Sequence, residues 1–226
     1  MVPKNNSFFK MAVIITLVVV VALAALVMIN SKSETNPDTT RDKLPPIEGQ
    51  PTLGVADAPV TVVEFGDYKC PACKAWGEQF FPTLIKDYID QGKVKFVYIN
   101  VLFHGEESKV GSAAAEAVYK QSPEGYWQFH KQLFSEQPGA DHDSNWLTEE
   151  KALEVASTVP GIDLAVLEKD MRSQEIKDEL DKDTALVEEF KVEKTPTIMV
   201  NDTILEDPFD YELIISLIEE GLKEKQ

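Results

Sequence analysis

The stretch Val60-Thr-Val-Val-Glu-Phe-Gly-Asp-Tyr-Lys-Cys-Pro-Ala-Cys73 decides how the rest of the chain is read. Val60 to Phe65 is a nearly continuous apolar run, the pattern of a strand covered on both faces. Lys74-Ala-Trp-Gly-Glu-Gln-Phe-Phe81 behind it favours a helix. Cys70-Pro71-Ala72-Cys73 therefore sits on a strand-to-helix turn, a setting for thiol–disulfide exchange. These are the only 2 cysteines among 226 residues, so the pair cannot belong to a larger disulfide framework.

Cys70 is the candidate nucleophile, because unpaired N–H groups and the dipole at a helix N-terminus stabilise a thiolate. Cys73 lies further into the helix and is suited to resolve a mixed disulfide. The Pro71 ring is compatible with a first helical turn, and Pro71 and Ala72 are the spacer that tunes the pair. Lys69 and Lys74 read as a small basic island, opposed by Asp67. A static disulfide across so short a loop would add little stability. A zinc site would need two more ligands, and no second Cys-x-x-Cys or His-x-x-His supplies them, so no metal ligands are assigned. Glu64 interrupts the apolar strand. Pointing inward beneath the helix it would have a raised pKa and could exchange a proton with a thiol; at a strand end it would simply reach solvent. Pro196 precedes the strand-like Thr197-Ile-Met-Val200. A trans proline could start an edge strand, whereas a cis proline would turn the Thr195 backbone outward, where it could pair with an extended substrate.

Outward from the pair, a helix is predicted over about 73–89, with Trp76, Phe80, Leu84 and Tyr88 on one face and a kink at Pro82. A second strand follows over 94–102, completing a βαβ unit with parallel strands. Residues from about 105 to 190 read as a helical insertion of four or so helices, broken at Pro123-Glu-Gly125, Pro138-Gly139 and Pro160-Gly161. A strand at Thr197–Val200, a turn at Asn201-Asp202 and a short partner strand over 203–205 come next. A last helix is expected to start at Asp207-Pro208 by N-cap and N1 signals, with Leu213, Ile214, Leu217 and Ile218 inward. His104 and His130 have no ligand at i+3 or i+4, and Asp141-His142-Asp143 reads as a solvated loop.

The N-terminal part has another character. Met11 to Ile29 is apolar except for Thr16, and 19 helical residues span about 28 Å, close to the hydrocarbon thickness of a bilayer. Lys4 and Lys10 precede it, so residues 1–10 are expected to stay in the cytoplasm and the body to cross. Ala22-Leu23-Ala24 resembles a cleavage site, but the apolar run continues past it, which favours a retained transmembrane signal anchor. Residues 30–51 then read as a proline-bearing linker. Lys4 and Lys10 are the only charged side chains in the first 30 residues, and the chain as a whole carries a net charge of −17. So acidic a body excludes nucleic-acid binding through phosphates.

Val63 to Cys73, Thr195-Pro196-Thr197 and the long helical insertion between them together resemble the DsbA-like family of thioredoxin-fold disulfide oxidoreductases, in particular its membrane-anchored Gram-positive type. Gly54 to Val60 and Tyr126 to Phe134 share the likeness, which covers about residues 52–224. The resemblance implies an α/β thioredoxin-like fold with an inserted helical domain, preceded by the N-terminal transmembrane helix. It implies that Cys70 is the attacking and attacked sulfur, that Cys73 resolves, that Pro196 is cis with Thr195 in the substrate groove, and that Glu64 is the buried acid. It implies no cofactor beyond the Cys70–Cys73 disulfide, unfolded or reduced secreted proteins as substrates, and a quinone-linked membrane oxidase as regenerating partner. The expected location is the cell membrane, single-pass, with a monomeric catalytic domain on the extracytoplasmic side. The best-known motif of the family has histidine where this chain has Ala72, which leaves the oxidising strength open. A reductase or isomerase, for instance in cytochrome maturation, and a copper or zinc carrier using the cysteines are the competing readings.

Overall fold

The computed structural model describes residues 14–16, 39–40, 43–139 and 144–225. Residues 14–16 are helical. The rest of the expected 1–10 tail and 11–29 span, and Asp141-His142-Asp143, lie outside the described residues. Among the described residues no helix is long and apolar enough to cross a membrane.

Among the described residues six strands form one sheet: β1 (Thr39–Thr40), β2 (Thr52–Leu53), β3 (Val60–Gly66), β4 (Val94–Asn100), β5 (Thr197–Val200) and β6 (Thr203–Ile204). Their order across the sheet is β1-β6-β5-β3-β4-β2. The expected βαβ unit is present, with β3 and β4 parallel and Val63 opposite Val97. The remaining pairs are antiparallel. All 7 residues of β3 are buried because both sheet faces are covered. Val60 and Val62 pack with Trp76, Phe96 and Ile214 on one face. Val63 and Phe65 pack with Leu186, Phe190 and Met199 on the other. Alternation along the strand places Glu64 on the face of Val62.

Between β3 and β4 the chain forms α1 (Pro71–Gln79), α2 (Phe81–Leu84) and a π-helical turn (Ile85–Ile89). The predicted single helix thus starts two residues earlier and is interrupted at Phe80. Pro82 has no N–H to continue the ladder, so it occupies the first turn of a restarted helix, where none is needed. Trp76 is fully buried. It stacks on Phe96 at 6.0 Å between ring centroids, and its indole N–H donates to Pro208 O at 2.9 Å.

Among the described residues five helices, where four or so are expected, separate β4 from β5: α3 (Glu106–Gln121), α4 (Pro123–Ser135), α5 (Glu149–Ala156), α6 (Leu164–Met171) and α7 (Gln174–Glu189). The break between α6 and α7 carries no Gly or Pro. Ser173 makes it by accepting a hydrogen bond from Ile176 N, an N-cap signal inside a helix-favouring run. The last helix, α8 (Tyr211–Glu224), begins later than expected. Asp210 caps it by accepting from Leu213 N at 2.9 Å, while Asp207 accepts from Phe209 N in the preceding turn. Ile214, Ile218 and Gly221 are its buried residues; Leu213 and Leu217 are half-buried.

The expected 30–51 linker reaches into the fold. Thr39–Thr40 adds a strand to β6, and Pro51 O accepts from Tyr98 N at 3.1 Å. Buried Gln50 donates to Asp183 Oδ1 at 2.6 Å. Asp183, on α7, also accepts from the Asn100 side chain at 2.8 Å, and that amide donates to Glu116 on α3 at 2.7 Å. This polar knot fastens the insertion to the end of β4.

Gly66, at the end of β3, has no room for a methyl group: a Cβ there would lie 2.5 Å from the Tyr98 ring. Gly66→Ala is expected to destabilise the protein by about 1–3 kcal/mol through overpacking, read as a lowered urea midpoint with an unchanged slope.

Candidate active site

The turn from β3 into α1 brings the two sulfurs to different depths. Cys70 is the N-cap of α1, with φ −73° and ψ 120°, and Pro71 follows at the first helical position. Cys70 N donates to Asp67 O at 2.9 Å, closing the turn. Cys70 retains 6% exposure and Cys73 1%, and both are free thiols. Pro71 is exposed and Ala72 half-buried beside them. The Thr195–Pro196 peptide is cis. Across 125 residues of sequence it presents Thr195 O to the Cys70 thiol, which donates to it at 3.3 Å.

The environment drives the two thiols apart. Cys70 is lowered to about 6: its hydrogen bond with Cys73 contributes most, burial opposes it, and the Thr195 side chain and the N–H groups of Cys73 and Ala72 add to it. Cys73 is pushed up, first by burial, then by its bond to Cys70 and the charge of Glu64. The Asp67 N–H, which donates to Cys73 Sγ at 3.4 Å, works in the opposite direction. Glu64 is 3% exposed, so it does not reach solvent. Burial raises its carboxyl well above the usual range, and the nearby Cys70 charge raises it further. Its Oε1 is buried without a hydrogen-bond partner among the described residues. A buried acid with a raised pKa thus lies under the helix that carries two thiols of opposite tendency. Such a set can exchange a disulfide and move the accompanying proton.

The basic island expected from Lys69 and Lys74 is absent. Lys69 is 5% exposed. Its ammonium bonds Glu107 at 2.9 Å, donates to Ser144 O and lies 5.8 Å from the Trp146 ring centre. Lys74 turns along the surface and donates to Gln137 O at 2.8 Å. Asp67 opposes neither lysine ammonium: it is fully buried and accepts from the His104 ring at 2.7 Å and Ser108 Oγ at 2.8 Å. His130 is also buried, bonded through Nδ1 to Tyr68 OH at 2.9 Å, and burial holds it down to about 3. Sequence spacing could not reveal these partners, which lie tens of residues away. Among the described residues no group of three or more His, Cys, Asp or Glu side chains is placed to hold a metal ion.

The Thioredoxin family matches residues 47–220. Disulfide bond formation protein D of Bacillus subtilis is 43% identical over 196 residues, 87% of each chain. The chain belongs to the thioredoxin family, alongside these disulfide bond formation proteins. A probable disulfide bond formation protein D of Bacillus anthracis is 34% identical over 92% of this chain and 94% of its own. The oxidised crystal structure of Bacillus subtilis BdbD has a TM-score of 0.77 and 40% identity, covering 82% of this chain and 100% of that one. Chlamydia trachomatis DsbA has a TM-score of 0.67 and 25% identity, covering 78% and 94%. With these relatives and the paired thiols, the protein is a thiol–disulfide oxidoreductase of thioredoxin-like α/β fold, as the sequence resemblance implies.

Iodoacetamide alkylation of reduced protein is expected to show one reactive thiol, Cys70, with a midpoint near pH 6; a midpoint near about 8.5, that of a free cysteine, would contradict the geometry. Because the folded value lies below the unfolded one, the thiolate stabilises the reduced protein above the unfolded value. That contribution is lost as pH falls through about 6. Urea midpoints of reduced protein and of Cys70→Ser, compared from pH 5 to 9, should diverge upward.

Proposed function

We propose that the protein is an oxidase that introduces disulfide bonds into secreted or cell-surface proteins. The observation that carries this reading is the Cys70 thiol lowered to about 6 beside a Cys73 thiol that is pushed up. A thiolate stable in the reduced enzyme makes the oxidised enzyme the more reactive electron acceptor. In the proposed cycle a substrate thiolate attacks Cys70 Sγ, the Cys70–Cys73 bond breaks, and Cys73 departs as a thiolate. A second substrate thiolate attacks the substrate sulfur of the mixed disulfide, forming the product disulfide and releasing Cys70 as a thiolate. The enzyme gains two electrons.

In this reading Cys70 is the exchanging sulfur, Cys73 resolves, and Glu64 supplies the proton to Cys73. Thr195, held by cis Pro196, offers its backbone to the extended substrate, with Pro71 and Ala72 forming the exposed edge of the pair. The disulfide is the whole redox centre and no cofactor is required. The 11–29 apolar run anchors the chain, and the catalytic domain lies on the extracytoplasmic side, where its relatives' function in disulfide bond formation is useful. Reduced secreted proteins are the substrates, and a quinone-linked membrane oxidase restores the disulfide.

The test is the reduction potential, measured against glutathione buffers. A value near about −120 mV supports the oxidase, and one near about −270 mV, that of thioredoxin, overturns it in favour of a reductase. Glu64→Gln is expected to slow oxidation of a reduced peptide by roughly a hundredfold, the lower end of general acid–base contributions, and Cys70→Ser to abolish it.

A further inference from the structure

Asp67 is a charge with no exposed surface, three residues before the nucleophile. Removing a carboxylate from water is costly unless hydrogen bonds replace the lost hydration. Here they do. Asp67 Oδ1 accepts from Lys69 N at 2.9 Å. Oδ2 accepts from Ser108 Oγ at 2.8 Å, Phe103 N at 3.1 Å, His104 N at 3.3 Å and the His104 ring at 2.7 Å. Both oxygens face donors. An asparagine could not reproduce this, since its NH₂ would have to face an N–H on one side or the other.

The donors come from two places. Lys69 belongs to the loop that carries the cysteines; Phe103, His104 and Ser108 belong to the β4–α3 connection and the first turn of α3. The carboxylate therefore pins the loop to the end of the neighbouring strand. The backbone of the same residue meets both sulfur-bearing residues. Its carbonyl accepts from Cys70 N at 2.9 Å, and its N–H donates to Cys73 Sγ at 3.4 Å. The N–H is aimed at the sulfur on which negative charge develops when the Cys70–Cys73 bond breaks. Cys73 is only 1% exposed, so water cannot take over the task.

The structure assigns to Asp67 the role of positioning residue for the Cys73 thiolate: its pinned carboxylate holds the Asp67 N–H on Cys73 Sγ. The role rests on the exchange chemistry and not on the direction of electron flow. In one direction Cys73 leaves as a thiolate when an external thiolate attacks Cys70. In the other, the Cys73 thiolate attacks Cys70 Sγ of a mixed disulfide, the bond to the external sulfur breaks, and that sulfur leaves as a thiolate and takes a proton from solvent. The N–H stabilises charge on the same atom in both.

The two steps can be timed separately in the full chain. Reduced protein is mixed with oxidised glutathione and quenched with acid. Appearance of the Cys70–glutathione mixed disulfide reports attack by Cys70, and its conversion to the Cys70–Cys73 disulfide reports attack by Cys73. Asp67→Asn is expected to slow the second step by about tenfold or more, the factor that a hydrogen bond to a charged group is worth, and the first step by less than about threefold. Ser108→Ala removes one donor from the carboxylate and should slow the second step alone, by about threefold. It carries the test if Asp67→Asn does not fold. A variant that is merely less stable would leave the ratio of the two rates unchanged. An unchanged ratio, or a larger loss in the first step, overturns the assignment. Neither outcome touches the oxidase reading, which the reduction potential decides.

Discussion

One negative charge is shared unequally between two sulfurs in a single helical turn, and the rest of the site is arranged around that inequality. Cys70, at the cap, meets the N–H groups of Ala72 and Cys73 and the thiol of Cys73, all of which favour its charged form. Cys73, one turn deeper, meets burial and a neighbouring acid, which disfavour its own. Three residues of separation suffice because the entrance of a helix is a region of unpaired donors and its next turn is not. Burial alone would raise both thiols. The cap geometry, made possible by a proline that needs no partner at the first helical position, separates them.

The sheet supports this arrangement by being covered on both sides. β3 ends directly beneath the helix entrance, and the continuous apolar run that identifies it in the sequence is the consequence of its central place between β5 and β4. Glu64 is the exception within that run. Its position on the face of Val62 puts a carboxyl into apolar surroundings under α1, where burial raises its pKa well above the usual carboxylate range. An acid in a strand with both faces buried is costly to retain, and Glu64 Oε1 has no hydrogen-bond partner among the described residues to offset that cost.

What the sequence made legible follows the range of the interactions. The strand, the turn and the helix around Cys70 depend on neighbours within about ten residues, and they could be read directly. The cis peptide at Pro196 could be expected only through the family resemblance, because local sequence by itself favours trans. Helix boundaries were displaced where one capping residue competed with another: Asp210 rather than Asp207 opens α8, and Ser173 opens α7 without any Gly or Pro. Asp67 and Lys69 depart furthest from what their local sequence suggests. Both look like surface charges flanking a reactive cysteine, yet their partners are Ser108 and Glu107, supplied by α3 some forty residues later. Charge adjacency along the chain says nothing of such pairings, and the only local hint was the density of polar residues over 104–108.

The strand order has a consequence for how the chain comes to life. β5 lies between β6 and β3, so the centre of the sheet stays incomplete until the last quarter of the polypeptide has joined it. The Thr195 carbonyl that faces Cys70 arrives on the same late segment, 125 residues behind the sulfur. A chain emerging from its N-terminus exposes Cys70 and Cys73 long before it owns the segment that faces them. Non-local pairing of this kind forms slowly. Maturation of the reactive pair is therefore coupled to completion of the molecule: a truncated or half-delivered chain carries the sulfurs without the Thr195 carbonyl opposite them, and the finished enzyme acquires both together.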